Sequence, residues 1–537
     1  MVWQQRRYTR RQVLKAGAAG AGLLALGPLA SACGSESETA GSGGASGEPK
    51  VGGTLIIGRH DQPTVQAVGL DPHHVAVSGG NVYTLDKMYQ PLYTTDAAGK
   101  LQPLMVQEHT VSSDGLVYTL TLKEGITFSD GEAVTADDVA WSLNRARTTE
   151  TGSMSFLNFA IADVKAVDGG TVEITLSQPW APLLSDLSIY SDAILPKDLR
   201  GMSEKEFFTN PIGTGPFVLK SWEEEGALIT LARNENYWQS GMPYVDEVVF
   251  KLISDDNQRM LQLQSGDIQI ADTVPPAQVE SLKADSNVSI GVFPAWSVDL
   301  FLFNHLVDHY ADRNVRRAIA QTIDTAKIVE STTFGISEAG GSFFPPSLEY
   351  YDPDTPVLKY DLEAAKADLA ASGFPKGFKS EILIPSGDKV WNLAAQIIQA
   401  GAAELGIEYE IKQLDQAAYQ TAFRSFEFET FINNAINDIT DPDEMASFQC
   451  DNENGGSNCF WTNYDNPELA EVVRAAAAEM DSAKRAEMYS EIQATVAQDA
   501  PYVAMSYPPT IFGTTTAVSG FAVNPAGAYP LEGVSLA

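Results

Sequence analysis

The sequence predicts an α/β protein of two or three domains. Three observations carry that prediction. A chain of 537 residues is longer than one hydrophobic core organises. Residues 381–411 read strand, helix, strand: a strand over 381–384, a helix over 394–405 closed by Gly406, and a strand over 407–411. That is the pattern of a doubly wound α/β unit. Residues 116–176 read instead as β-rich. Leu116, Tyr118, Leu120 and Leu122 alternate with Val117, Thr119 and Thr121, and residues 171–176 alternate in the same way. Apolar content of 44% and aromatic content of 9% place the chain among globular proteins.

Taken in order, the chain opens on cations. Arg6, Arg7, Arg10, Arg11 and Lys15 stand in the first 32 residues with no acid among them, although the whole chain carries a formal charge of −35. The segment 9–15, TRRQVLK, resembles a twin-arginine export motif. The apolar run 16–30 is too short and mild for a membrane span. Leu29-Ala30-Ser31-Ala32-Cys33 resembles a lipoprotein cleavage site, with Ala30 where Leu is usual; Ala30-x-Ala32 also fits cleavage to a soluble form. Residues 1–32 are expected to be a signal peptide, Cys33 the lipidated residue, and the Gly/Ser-rich residues 33–50 a flexible linker. The acidic remainder should repel nucleic acid and anionic membranes. It suits a solvated surface, high salt or cationic ligands equally well.

The folded part is expected from residue 51, with a strand over 52–58, a loop at 70–72 and a helix over 81–88. After the strand 116–122, residues 126–128 read as a second strand and Asp130-Gly131 as a turn. Thr135, with Asp138 three residues on, caps a helix whose Val139 and Leu143 share a face. Residues 210–219, NPIGTGPFVL, lack the Lys-Ser/Thr ending of a phosphate loop and read as a tight structural turn. Residues 258–268 read as a helix stopped by Gly266 and followed by a strand. Residues 301–304 read as a strand, 312–324 as an amphipathic helix, and 430–434 as a strand leading into a polar loop at 435–443.

Several of these segments together resemble one family. SSDGLVYTLTLKEGITFSDGEAVTADDVAWSLNRA (112–146), NPIGTGPF (210–217), RNENYW (233–238) and VRRAIAQTID (315–324) are similar to landmarks of the peptide/nickel/oligopeptide-binding solute-binding proteins of ABC importers, family 5. Ser129 departs from the family, which commonly has His there. The resemblance implies a two-lobed periplasmic-binding-protein fold (type II-like) with an extra inserted β-rich subdomain. Residues 51–95, 210–300 and 505–537 would form a discontinuous first lobe, 96–209 the insert, and 301–504 the second lobe. It further implies a small solute, an oligopeptide or dipeptide first, enclosed between hinged lobes and passed to a permease and its ATPase. Oligosaccharides, nickel chelates and a sensor-linked role remain alternatives. A monomer anchored by lipid on the outer face of the cytoplasmic membrane is expected, without cofactor.

The resemblance also places the candidate ligand site. The segment NNAINDITDPD (433–443) resembles the loop before the Asp-Pro-Asp of peptide-binding members, where an Asp at the position of Asp438 pairs with the ligand's α-amino group. Asn434 and Asn437 accompany it, and an Asx turn or helix cap is the alternative reading of Asp438. Asp441 and Asp443 read as turn and cap residues. Val77, Ser78 and Asn81 follow the loop at 70–72, and Trp296, Phe303 and Asn304 stand at the crossing into the second lobe; all are further ligand-contact candidates by position. His73-His74 reads as a loop pair, since adjacent residues rarely serve one metal and no other His or Cys stands at short ligand spacing. Cys450 and Cys459 flank a turn-rich segment and are expected to pair in an oxidising compartment, free buried thiols being the alternative. No G-x-S-x-G or H-E-x-x-H is present, so no catalytic residue is assigned and an enzyme is not expected.

Overall fold

Three β-sheets organise the chain. The structure is a computed structural model that describes residues 49–61, 70–74, 79–148, 154–223, 226–453 and 458–537. The expected signal, linker and Cys33 lie outside these residues, as do Val77 and Ser78.

The first sheet has seven strands in the order Val288–Phe293, Thr510–Thr515, Ile270–Ala271, Thr54–Arg59, Glu247–Leu252, Leu228–Arg233 and Phe217–Glu223. Thr54–Arg59 sits in its middle and runs parallel to both neighbours. Its Leu55 and Ile57 are fully buried. The helix Asp256–Ser265 follows as its sequence predicts, capped by Asp255 and ended by Gly266 at φ 82°, a left-handed conformation that glycine adopts without steric penalty.

The second sheet has six strands in the order Glu338–Ala339, Tyr502–Tyr507, Ser297–Phe303, Thr430–Ile436, Lys379–Pro385 and Glu408–Leu414. Every residue of Ser297–Phe303 is buried, as expected for a strand covered on both faces. Val298, Leu300 and Leu302 enter one core, Phe301 and Phe303 another. Asp299, in the same strand, accepts hydrogen bonds from Asn434 Nδ2 (3.0 Å) and Ser506 Oγ (2.8 Å).

The third sheet is the expected β-rich insert, four antiparallel strands in the order Val106–Val111, Val117–Leu122, Thr171–Leu176, Ile161–Ala166. Tyr118, Leu120 and Leu122 pack with Val139 and Leu143 of the helix Ala136–Thr148. The predicted cap is present: Thr135 Oγ1 donates to Asp138 Oδ2 at 2.6 Å, and Asp138 N donates to Thr135 Oγ1 at 3.3 Å. Residues 126–128 differ from expectation. They make one isolated bridge, Thr127 to Ala133, and no strand. The turn at Gly131 begins at Phe128, with Gly131 N donating to Phe128 O at 2.9 Å, and leaves no length for a ladder.

The first and second sheets are joined twice. Pro294-Ala295-Trp296 links Phe293 to Ser297, and Pro508-Pro509 links Tyr507 to Thr510. The expected borders at 300/301 and 504/505 therefore fall inside strands. Proline has no N–H for a ladder, and it ends both pairs of strands instead.

The glycines of residues 210–217 serve close approach rather than phosphate. A Cβ on Gly213 would lie 2.1 Å from Met88 O, and one on Gly215 2.5 Å from Lys87 O. Gly215 N also donates to Met88 O at 2.9 Å. This contact holds residues 86–88 against the first sheet. Gly215→Ala is expected to destabilise the protein by about 1–3 kcal/mol, as overpacking against fixed backbone does, read as a lower midpoint in urea unfolding.

Candidate functional site

The loop after Thr430–Ile436 is built from its own side chains. Asn437 is fully buried. Its Nδ2 donates to Ile439 O (2.6 Å) and Asp441 O (3.0 Å), and its Oδ1 accepts from Met445 N (3.0 Å). Asp441 accepts from Asp443 N at 3.0 Å, the expected turn. It also meets Arg485 in a buried two-pronged pair at 2.7 and 2.8 Å. On its outer side the loop touches the helix Leu183–Asp186: Ser185 Oγ lies 2.6 Å from Thr440 Oγ1 and accepts from Asp441 N at 2.8 Å.

So held, Asp438 faces a cavity of about 510 Å³. The remaining wall comes from the first sheet's side and the insert: Val82, Tyr83 and Asp86, then Ser188 to Tyr190, then Ala526, Ala528, Pro530 and Glu532. The Asp438 carboxylate makes no hydrogen bond or ion pair among the described residues, while its N–H donates to Glu444 Oε2 at 2.7 Å. Burial pushes its carboxyl from 3.8 to about 6. Glu444 is pushed well up by burial and then by the Asp438 charge. The phenol of Tyr83 is pushed up by burial, then by Asp438 and Asp86. An unpaired carboxylate in such a wall favours a cationic partner that brings no water with it.

Of the described candidates, Asp438 alone lines the cavity. Asn437 is corrected to a loop lock, because all its polar atoms are used inside the loop. Asn434 is corrected to a cross-strand partner: Asp299 is its register neighbour, and its amide also bonds Ser297 Oγ at 2.9 Å. Trp296 is 1% exposed, with its indole N–H on Ser347 O. Phe303 lies in the core beside Tyr310, and Asn304 donates to Phe426 O and Phe428 O. Asn81 lies on the helix Gly79–Leu85, and its side chain is outside the described residues.

Residues the sequence did not single out are Tyr83, Asp86 and Glu532. The last two are acids at the ends of apolar runs, a faint signal among 70 acids. The expected disulfide is not formed: Cys450 and Cys459 are buried free thiols. Burial pushes both thiols up, Cys450 further through Cys459, which disfavours the thiolate that oxidation needs. His73 is buried, held by Ala193 O and Arg145, and burial followed by the Arg145 charge lowers it to about 4. Asp71, His74 and Glu204 stand close enough for a cation, but the Arg145 guanidinium already bonds Asp71 and Glu204.

The bacterial extracellular solute-binding proteins, family 5 (middle region), match residues 100–457. The chain belongs to this family. It is 26% identical over 487 residues to a dipeptide-binding protein of Escherichia coli K12, covering 84% of this chain and 90% of that one. It is 25% identical over 483 residues to the glutathione-binding protein GsiB of Escherichia coli O1:K1, covering 86% and 94%. Among solved structures, the periplasmic binding protein DppA of Helicobacter pylori, in complex with the peptide STSA, superposes with a TM-score of 0.79 at 25% identity, covering 91% of this chain and 98% of that one. The α/β fold is that of periplasmic binding proteins, and the chain is a solute-binding receptor of the exported type.

Two outcomes follow for the loop. Arg485→Ala strands Asp441 without its partner and should cost about 3–5 kcal/mol in chemical unfolding, whereas Arg485→Met with Asp441→Asn should recover most of that loss. Asp438→Asn should stabilise the unliganded protein at pH 7 by about 2 kcal/mol, allowing for cavity water. The folded carboxyl sits above its unfolded value, so ionisation opposes folding at pH above about 6. The gain should vanish as pH falls below about 4, where both states are protonated.

Proposed function

We propose that this receptor captures a short peptide by its α-ammonium group and delivers it to an ABC permease and its ATPase. The observation that carries the reading is the Asp438 carboxylate, unpaired in the wall of the cavity. A ligand ammonium there would replace lost hydration with a charge-assisted hydrogen bond. The peptide names of the relatives support the same class. The lobes proposed are the first and second sheets with their helices, the insert lying on the first. Cys33 is proposed as the lipid-bearing residue that holds the receptor at the outer face of the membrane.

Calorimetry with free and N-acetylated peptides tests the anchor. Free peptides should bind, and acetylation or Asp438→Asn should weaken them by about 100-fold or more, the scale of a lost charge-assisted contact. Equal affinity of the acetylated peptide would sink the reading. Affinity should fall by about tenfold from pH 7 to pH 5, as a carboxyl titrating near 6 loses its charge. Cys33→Ser should move the protein from membrane to soluble fractions.

A further inference from the structure

The charge of the cavity is one-sided. Asp438 stands on one wall, Asp86 and Glu532 on the others, and Asp96 with them. No Lys, Arg or His is among the described residues that line it.

The cations acting on Asp86 are already committed. Lys87 is 2% exposed; its Nζ lies 2.5 Å from Asp86 Oδ2 and 4.2 Å from the centroid of the Tyr529 ring. That leaves Asp86 Oδ1 buried and without a hydrogen-bond partner. Glu532 makes no ion pair among the described residues, and burial pushes its carboxyl up. Arg59, the other buried cation acting on Asp86, is held by Thr84 and Asp61, so two committed cations stand behind the wall and neither lines the cavity. A zwitterionic dipeptide would place its carboxylate against the inward acids with nothing to receive it, a like-charge contact that disfavours binding.

We propose that the ligand carries two cationic groups on one chain and leaves no carboxylate inside the cavity. This rests on Asp438 as an ammonium anchor. The first ammonium meets Asp438; the second group, an ammonium or guanidinium, meets Glu532, with Asp86 beside it in the cavity wall. The cavity is within the usual ligand range of about 300–1,000 Å³. Two sources share this chemistry: a basic peptide whose C-terminus is blocked or lies outside, and a free linear di- or polyamine.

Calorimetry on the full chain separates them. The probes are Lys-Ala-amide, its neutral match norleucyl-Ala-amide, Lys-Ala with a free carboxylate, and 1,5-diaminopentane. Lys-Ala-amide should bind at least tenfold tighter than both the norleucyl peptide and the free acid, and added NaCl should narrow the gap. Glu532→Gln, checked for folding by thermal melting, should erode the preference for the lysyl over the norleucyl peptide. Equal binding of the lysyl and norleucyl peptides overturns the proposal and leaves the peptide receptor standing. Diamine binding without any peptide binding supports the two-cation ligand and overturns the peptide reading. An unaltered lysine preference in folded Glu532→Gln overturns the subsite, and silence from every probe overturns both.

Discussion

The pair between Arg485 and Asp441 is the constraint on which the site depends. A buried ion pair contributes little net stability, because desolvation offsets most of its attraction. What it supplies here is position. Arg485 comes from the long helix Ser482–Asp499 and also donates to Ala476 O and Tyr489 Oη. It therefore ties the loop to two helices at once. Asn437 closes the other end of the loop. Between these two fixed points, Asp438 cannot turn back to find a partner within its own chain.

A carboxylate held this way lowers the stability of the empty receptor and raises its appetite for a cation. Both effects come from one fact: packing strips part of the water from the half-buried carboxylate and supplies no replacement charge. The buried acids around the loop repeat the pattern. Asp443 and Glu444 are pushed up by burial and by the charge of neighbouring acids. Their neutral forms are thereby favoured, because one arginine cannot balance so many buried charges.

The fold was legible in the sequence to a large extent. Strand alternation in 116–122, the Thr135–Asp138 cap and the Gly266 stop are local devices, and each appears as its residues predict. Of the described sequence candidates, Asp438 is the one that lines the cavity. Asp438 could be placed because the segment around it resembles a known loop. Trp296 stands at a crossing between sheets, and Phe303 and Asn304 at the far end of the strand that follows it, but position along the chain does not say which way a side chain points. Asn437 and Asn434 share a polar segment with Asp438, yet backbone carbonyls and Asp299 consume their donors. Glu532 lies about a hundred residues from Asp438 in the chain, and no local pattern could have joined them.

The two proline-marked crossings have a mechanical consequence. One tether between two bodies permits swivelling about any axis through it. Two tethers fix a line, and rotation about that line is the soft coordinate left to the sheets. Trp296, in one crossing, donates its N–H to Pro525 O and accepts at its own carbonyl from Asn437 N. The pivot is thus wired to the loop that carries Asp438, so a change in angle at the axle would displace the carboxylate in the cavity wall.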